Sequence, residues 1–137
     1  MPALNSDINN LKPESLESVS AAVLDPINYQ YRGKRDIEIT IRQPEYTSLC
    51  PMTGLPDVGC IIIQYTPNQK IVELKSLKYY LLQYRNVGVF YEHLVNRIIE
   101  DLAEVLKPKQ LLVTGDFTAR GGITTRVTAK YGGADGN

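Results

Sequence analysis

Apolar and polar positions follow two different periods along this chain, and the change from one to the other outlines the fold. Ile37, Ile39 and Ile41 alternate with Glu38, Thr40 and Arg42, a period of two that predicts a half-buried strand. Pro44 and a turn-rich loop over residues 47–58 interrupt it. Residues 59–66 are dense in β-branched side chains and predict a second strand, followed by a turn at Thr66-Pro67-Asn68-Gln69. The period then changes to that of a helix. Leu74, Leu77, Leu81 and Tyr84 share one face of a helix running to about Arg85, with Gly88 as its stop. Phe90, Leu94, Val95, Ile98, Leu102, Val105 and Leu106 form the apolar stripe of a second helix over residues 89–106, which Pro108 ends. Residues 111–118 and 123–131 predict two further strands, joined by Ala119-Arg120-Gly121-Gly122.

The element order is β-β-α-α-β-β, an α+β class. Both strand pairs have connections short enough for antiparallel hairpins, so a four-stranded antiparallel sheet with two helices on one face is expected. The other face then needs a cover, and a neighbouring copy of the chain would supply it, making a homo-oligomer. Residues 1–30 are polar and weakly patterned. They predict a mobile arm, or a segment that orders on assembly. The folded domain is expected over residues 31–131, with a loose tail at 132–137.

Composition narrows the function classes. A chain of 137 residues is one domain with room for a small sheet and a few helices. Apolar runs such as Cys60-Ile61-Ile62-Ile63 are far shorter than a membrane span. No basic flank leads into an apolar stretch near Met1, so no secretory signal is expected, and the two cysteines suit a reducing cytoplasm. A formal net charge of +0 argues against a protein that grips a nucleic-acid backbone, while leaving room for a nucleotide-sized ligand.

The candidate chemistry lies in two segments. In Ser48-Leu49-Cys50-Pro51-Met52-Thr53-Gly54-Leu55-Pro56-Asp57, Cys50 follows a strand and enters a Pro/Gly loop. A thiolate there would be a strong nucleophile, and Asp57, placed in the same loop, could shuttle a proton. The competing reading is that Cys50 packs and Asp57 caps a turn. Cys60 opens a strand and reads as a small buried hydrophobe. In Glu73-Leu74-Lys75-Ser76-Leu77-Lys78-Tyr79-Tyr80, Lys75, Lys78 and Arg85 project opposite the apolar stripe. Such a face is often only solvated. Here it begins at a helix N-terminus, whose free N–H groups favour phosphate, and Arg120 on a Gly loop could add a second cation. Glu92, near the start of the second helix, could accept hydrogen bonds from the donor edge of a heterocycle. His93 is the only histidine, and one histidine with two unpaired-spacing cysteines is a weak basis for zinc. There is no G-x-G-x-x-G after a strand, no P-loop and no G-x-S-x-G.

These motifs resemble the short form of the QueF family of nitrile reductases. The likeness runs from about Arg35 to Tyr131 and rests on the Cys50-to-Asp57 loop, on Glu73 to Tyr80, and on Phe117-Thr118-Ala119-Arg120-Gly121-Gly122-Ile123. It implies a tunnelling fold, shared with GTP cyclohydrolase I, whose subunits join their sheets into a barrel with active sites between them. It implies that Cys50 attacks the nitrile of 7-cyano-7-deazaguanine to give a covalent thioimide. Asp57 would protonate the nitrogen, and two NADPH would complete the reduction in queuosine biosynthesis, a tRNA modification. Glu92 would anchor the base, with Val72, Glu73 and Leu74 completing the pocket, while Lys75, Lys78 and Arg120 would hold cofactor phosphates. No metal is implied. The family often has His before the anchoring Glu. Here that position is Tyr91, and Tyr91 rather than His93 is expected to take the contact, since the two lie about 200° apart on a helix.

Three other readings stay open. Related enzymes of this fold add ammonia to the same nitrile to form an amidine, and they should lack the Lys75/Lys78 pair. A zinc-dependent cyclohydrolase would use Cys50, Cys60 and His93. A non-catalytic ligand-binding protein would retain the fold alone.

Overall fold

A computed structural model of the protein describes residues 13–133. Its elements are β1 (Pro26–Asn28), β2 (Ile39–Leu49), β3 (Pro56–Thr66), β4 (Lys70–Val72), α1 (Leu74–Leu82), α2 (Tyr91–Leu106), β5 (Gln110–Arg120) and β6 (Ile123–Gly132). Short 3-10 turns occupy Leu16–Ser18, Ala21–Val23 and Gln83–Asn86. The main sheet has four antiparallel strands in the order β2-β3-β5-β6, and β1 pairs with β4 in a separate two-stranded sheet.

Alternation decides which face carries the core. Ile61, Ile63 and Tyr65 of β3 and Leu111, Val113 and Phe117 of β5 are buried in one cluster with Leu77, Tyr80, Leu81 and Tyr84 of the α1 segment and Leu94, Val95, Ile98, Leu102 and Leu106 of α2. Both helices therefore lie on that face. The register places Cys60 beside Asp116 and Asp116 beside Arg126 on the opposite face, with Ile62, Thr114 and Thr128 in the next row and Gln64, Leu112 and Lys130 in the one after.

Three expectations need correction. Strand β2 does not stop at Pro44. It runs on to Leu49, with the register shifting between Gln43 and Tyr46, so the proline sits at a bulge where its missing N–H costs no ladder bond. Consequently the loop shortens and β3 begins at Pro56, which puts Asp57 on a strand rather than in a loop. Gly88 does not stop a helix. The helical turn ends by Asn86, and Gly88 lies in an extended crossing where its N–H donates to the Glu14 carbonyl (2.9 Å) and it bridges Leu49.

The segment from Pro13 onward is folded onto the domain. Val19 and Leu24 join the core cluster. The Arg97 guanidinium donates to the Leu16 and Val19 carbonyls at 3.1 and 2.6 Å, and β1 completes the small sheet with β4. The apolar positions in this segment are too sparse for a periodic pattern, because it is held by long-range hydrogen bonds rather than by a buried stripe. The expected arm over residues 1–12, and the tail from residue 134, lie outside the described residues.

Candidate active site

The hairpin between β2 and β3 builds the loop that carries Cys50. The Cys50 N–H donates to the Leu55 carbonyl and the Gly54 N–H to the Cys50 carbonyl, both at 2.8 Å, closing a tight turn with Gly54 at φ 74°. The Leu55 N–H donates to Thr53 Oγ1 at 3.2 Å, which leaves that hydroxyl's own proton free to point elsewhere. The Cys50 thiol is lowered to about 7, first by the Thr53 hydroxyl, then by the backbone N–H groups of Met52 and Thr53, with a smaller share from Arg120. These groups stabilise a thiolate, the reactive form of cysteine.

The extended crossing sets what stands beside it. The Leu49 N–H donates to the Val87 carbonyl (2.9 Å) and the Val89 N–H to the Leu49 carbonyl (3.2 Å), so the start of α2 runs next to Cys50. The result is a cavity of about 310 Å³ whose walls include Cys50, Asp57, Tyr91, Glu92, Arg120 and Ile123. It sits at the lower end of the roughly 300–1,000 Å³ typical of small-molecule pockets. That is the scale of a small heterocycle.

Asp57 is 3% exposed and forms an ion pair with Arg120, with Nη1 donating to Oδ1 at 2.5 Å. A buried carboxylate is costly without such a partner. Arg120 in turn is held above its ordinary value, first by the hydrogen bond to Asp57 and then by that to Cys50. Tyr91 stacks on Phe117 with ring centroids 3.7 Å apart and planes 5° from parallel. Phe117 fits because Gly59 and Gly115 flank it. A Cβ at either glycine would come within 2.7 Å of the Phe117 ring. The Tyr91 hydroxyl is pushed up by burial and then by the facing Asp57 carboxylate. Behind Asp57, Ser48 stands across the strand pair from it, and both Ser48 Oγ and Tyr46 Oη are buried without a hydrogen-bond partner.

The second motif lies elsewhere. Val72, Glu73, Leu74, Lys75 and Lys78 do not line this cavity. Glu73 is separated from Val87 by α1 and a 3-10 turn, roughly 20 Å of helical rise. Its carboxylate caps α1, accepting the N–H groups of Lys75 (2.6 Å) and Ser76 (2.8 Å). Two of the free N–H groups expected to favour phosphate are thus already bonded to an anion. Val72 is buried, its N–H donating to the Tyr65 hydroxyl at 3.0 Å, while Leu74 is 61% exposed. Lys75 and Lys78 are exposed, and neither pairs with an acidic group among the described residues. Arg120, grouped with these lysines from the sequence, stands instead with Cys50 and Asp57.

Tyr91 and Glu92 enter the cavity and His93 does not. The His93 ring meets Phe90 edge-on, with centroids 6.0 Å apart. Cys60 is half-buried on β3, and both cysteines are free. Among the described residues no group of three or more His, Cys, Asp or Glu is placed to hold a metal. Thr53, Phe117, Ser48 and Tyr46 were not singled out from the sequence. For Asp57 a signal existed, since it continues the parity of Gly59, Ile61, Ile63 and Tyr65 two residues toward the N-terminus. For Thr53 and Phe117 there was none beyond their place in the quoted motifs.

The family model described as "QueF-like protein" matches residues 56–135, more than half of the chain. The chain belongs to the QueF-like family. Relatives of this QueF-like chain are close. The NADPH-dependent 7-cyano-7-deazaguanine reductase of Chloroherpeton thalassium is 51% identical over 121 residues, covering 88% of this chain and 97% of the relative. The protein of the same name from Elusimicrobium minutum is 46% identical over 125 residues, covering 91% and 95%. Among solved structures, the apo form of the archaeosine synthase QueF-Like matches with a TM-score of 0.63 at 21% identity. That match covers 72% of this chain and 95% of that one, a likeness of fold. Among the described residues no helix is long and apolar enough to cross a membrane.

Proposed function

We infer that the protein is an NADPH-dependent nitrile reductase that converts 7-cyano-7-deazaguanine to its aminomethyl product. The observation that carries this is the cavity in which a thiol lowered to about 7, a buried carboxylate and a second, cavity-lining carboxylate from Glu92 meet. Relatives at about half identity that bear the reductase name support the substrate.

The chain's own residues supply the following chemistry. The Cys50 thiolate adds to the nitrile carbon, making a thioimide that accepts hydride far better than the nitrile. Asp57 moves a proton to the nitrile nitrogen. Glu92 accepts hydrogen bonds from the donor edge of the base, and Tyr91 presents a hydroxyl beside Asp57. NADPH supplies the two hydrides when bound. Lys75 and Lys78, exposed and unpaired, are the residues suited to its phosphates, as point charges rather than with help from the capped helix terminus. They also favour a reductase over an amidine-forming enzyme of the same fold, which needs no cofactor phosphate site.

The two halves of this machinery lie far apart in one chain. The active site is therefore assembled between copies of a tunnelling-fold oligomer, one copy giving Cys50, Asp57, Tyr91 and Glu92 and another giving Val72 to Lys78. Exposed apolar residues around the cavity mouth, Met52, Leu55, Phe90 and Ile123, support a partner surface there. The test is to mix purified protein with the nitrile and NADPH and follow nicotinamide absorbance. Two NADPH consumed per nitrile, and none with Cys50→Ala, is the expected result. No oxidation by folded protein would overturn the reading.

A further inference from the structure

Residues 86–89 carry the chain from the α1 segment into α2, and their backbone is held from both sides. On one side the Leu49 N–H donates to the Val87 carbonyl and the Val89 N–H to the Leu49 carbonyl, at 2.9 and 3.2 Å. On the other the Glu14 N–H donates to the Asn86 carbonyl at 2.7 Å and the Gly88 N–H to the Glu14 carbonyl at 2.9 Å. Glu14 and Leu49 thus flank the crossing in two parallel bridges. Gly88 is where these parts touch. A Cβ there would come within 2.7 Å of Pro13 Cβ and 3.4 Å of the Cα of Pro51, the residue after Cys50. We propose that Pro13 and Glu14 are positioning residues for the substrate, completing the crossing that sets Glu92 against Cys50. This rests on the nitrile-reductase reading above.

The start of α2 depends on this crossing because its own cap is weak. The N-cap is Phe90, whose apolar side chain cannot bond the free N–H groups of the first turn. Tyr91 has a second hold in its stack on Phe117, but Glu92 is exposed and is placed chiefly by the backbone that carries it. A shift of the crossing therefore moves the Glu92 carboxylate relative to Cys50, and a misplacement of about 1 Å can cost on the order of hundredfold in rate. The N-terminal segment can resist such a shift because it is tied down beyond Glu14. Gln83 clasps Ser20, accepting its N–H at 2.9 Å and donating to its carbonyl at 3.0 Å. Further along, the Asp25 carbonyl accepts the Glu73 N–H at 2.9 Å. The groups that lower the Cys50 thiol lie in its own turn and on Arg120, not in this segment. Loss of the Glu14 contact should loosen the hold on the base and leave the thiol as it was.

The test is steady-state kinetics on full-length protein, varying the nitrile and NADPH in turn. Gly88→Ala sets a methyl group against Pro13, and Pro13→Gly removes the ring atoms that it would meet. Gly88→Ala is expected to raise the KM for 7-cyano-7-deazaguanine roughly tenfold, the scale of one charge-assisted hydrogen bond. Pro13→Gly alone should stay near wild type. Added to Gly88→Ala it should recover most of the loss, a coupling expected of residues in contact. Glu14→Pro deletes the N–H that Asn86 accepts without adding atoms at Gly88, and it should raise the same KM several-fold. The KM for NADPH should stay near wild type throughout, and the Cys50 alkylation midpoint, read in a Cys60→Ala background, should stay near 7. Partial unfolding would instead lower kcat and leave both KM values alone. If Gly88→Ala does not fold, Glu14→Pro decides. An unmoved nitrile KM in Glu14→Pro, a Gly88→Ala defect that Pro13→Gly does not relieve, or equal rises in both KM values would overturn the inference while the nitrile-reductase reading stands. A wild type that oxidises no NADPH would overturn that reading and this inference with it.

Discussion

The Thr53 hydroxyl does most to lower the Cys50 thiol, and removing it should move the titration of that thiol by a readable amount. Thr53→Val keeps the β-branched shape and deletes one of four donors to the sulfur, leaving the Met52 and Thr53 N–H groups and the Arg120 guanidinium. With the wild-type thiol at about 7, loss of the largest contribution should raise it by roughly one unit. At pH 7 the thiolate fraction then falls from about one half to about one tenth. The more basic thiolate is also a better nucleophile, by roughly threefold per unit at a Brønsted slope of about 0.4–0.5. The two effects partly offset, leaving roughly half the wild-type rate at pH 7, so a single-pH rate would be a weak test. The assay is therefore the full pH profile of iodoacetamide alkylation, in a Cys60→Ala background that isolates Cys50. Reactivity should rise as pH passes the thiol's value and then level off. Wild type should have its midpoint near 7. Thr53→Val should have a midpoint about one unit higher and a plateau about threefold faster. An unmoved midpoint would refute the assignment to Thr53. A wild-type midpoint at the ordinary value near 8.5 would refute the thiolate-stabilising loop altogether.

Other consequences are equally concrete. Glu73→Ala should cost about 1 kcal/mol through loss of the α1 cap, read as a fall of roughly 4 °C in Tm, and an unchanged Tm would mean that the carboxylate is not a cap. Lys78→Ala should raise the KM for NADPH several-fold more than that for the nitrile, and the reverse would move the cofactor off α1. Mixing Cys50→Ala with Lys78→Ala subunits under exchanging conditions should restore activity that neither has alone, because each copy supplies the half-site the other lacks. No recovery after verified exchange would place the whole site in one chain. Cys60→Ala should leave turnover intact, since Cys60 lies on the sheet face opposite the core, and lost activity would reopen a role for both cysteines.

The long periodic elements were readable because burial imposes the period. The stripe from Leu94 to Leu106 and the alternation in β3 reflect contact with a single core, and each local choice there agrees with the fold. What escaped is held by interactions with no sequence period. β1 and β4 are three residues each and exist through each other and through Ser76, whose hydroxyl accepts the Asp25 N–H. Pro44 read as a strand end because a bulge, which accommodates proline, leaves no mark in composition. At the site, Cys50, Asp57, Tyr91 and Glu92 were named from motif and likeness, and they meet in one cavity. Arg120 was grouped by charge with Lys75 and Lys78, and only the β5–β6 hairpin's path shows that it reaches Asp57. Glu73 was read beside free helix N–H groups, yet its own carboxylate takes them, a local bond the motif did not reveal.

The central claim is that Cys50 forms a covalent bond with the nitrile before any hydride moves. The most direct measurement is the intact mass of full-length protein after incubation with 7-cyano-7-deazaguanine and no NADPH, followed by peptide mapping. The account predicts a mass gain of one nitrile molecule per chain, located on Cys50, absent in Cys50→Ala and discharged when NADPH is added. No mass gain in folded protein that nevertheless oxidises NADPH, or a gain located on Cys60, would contradict it.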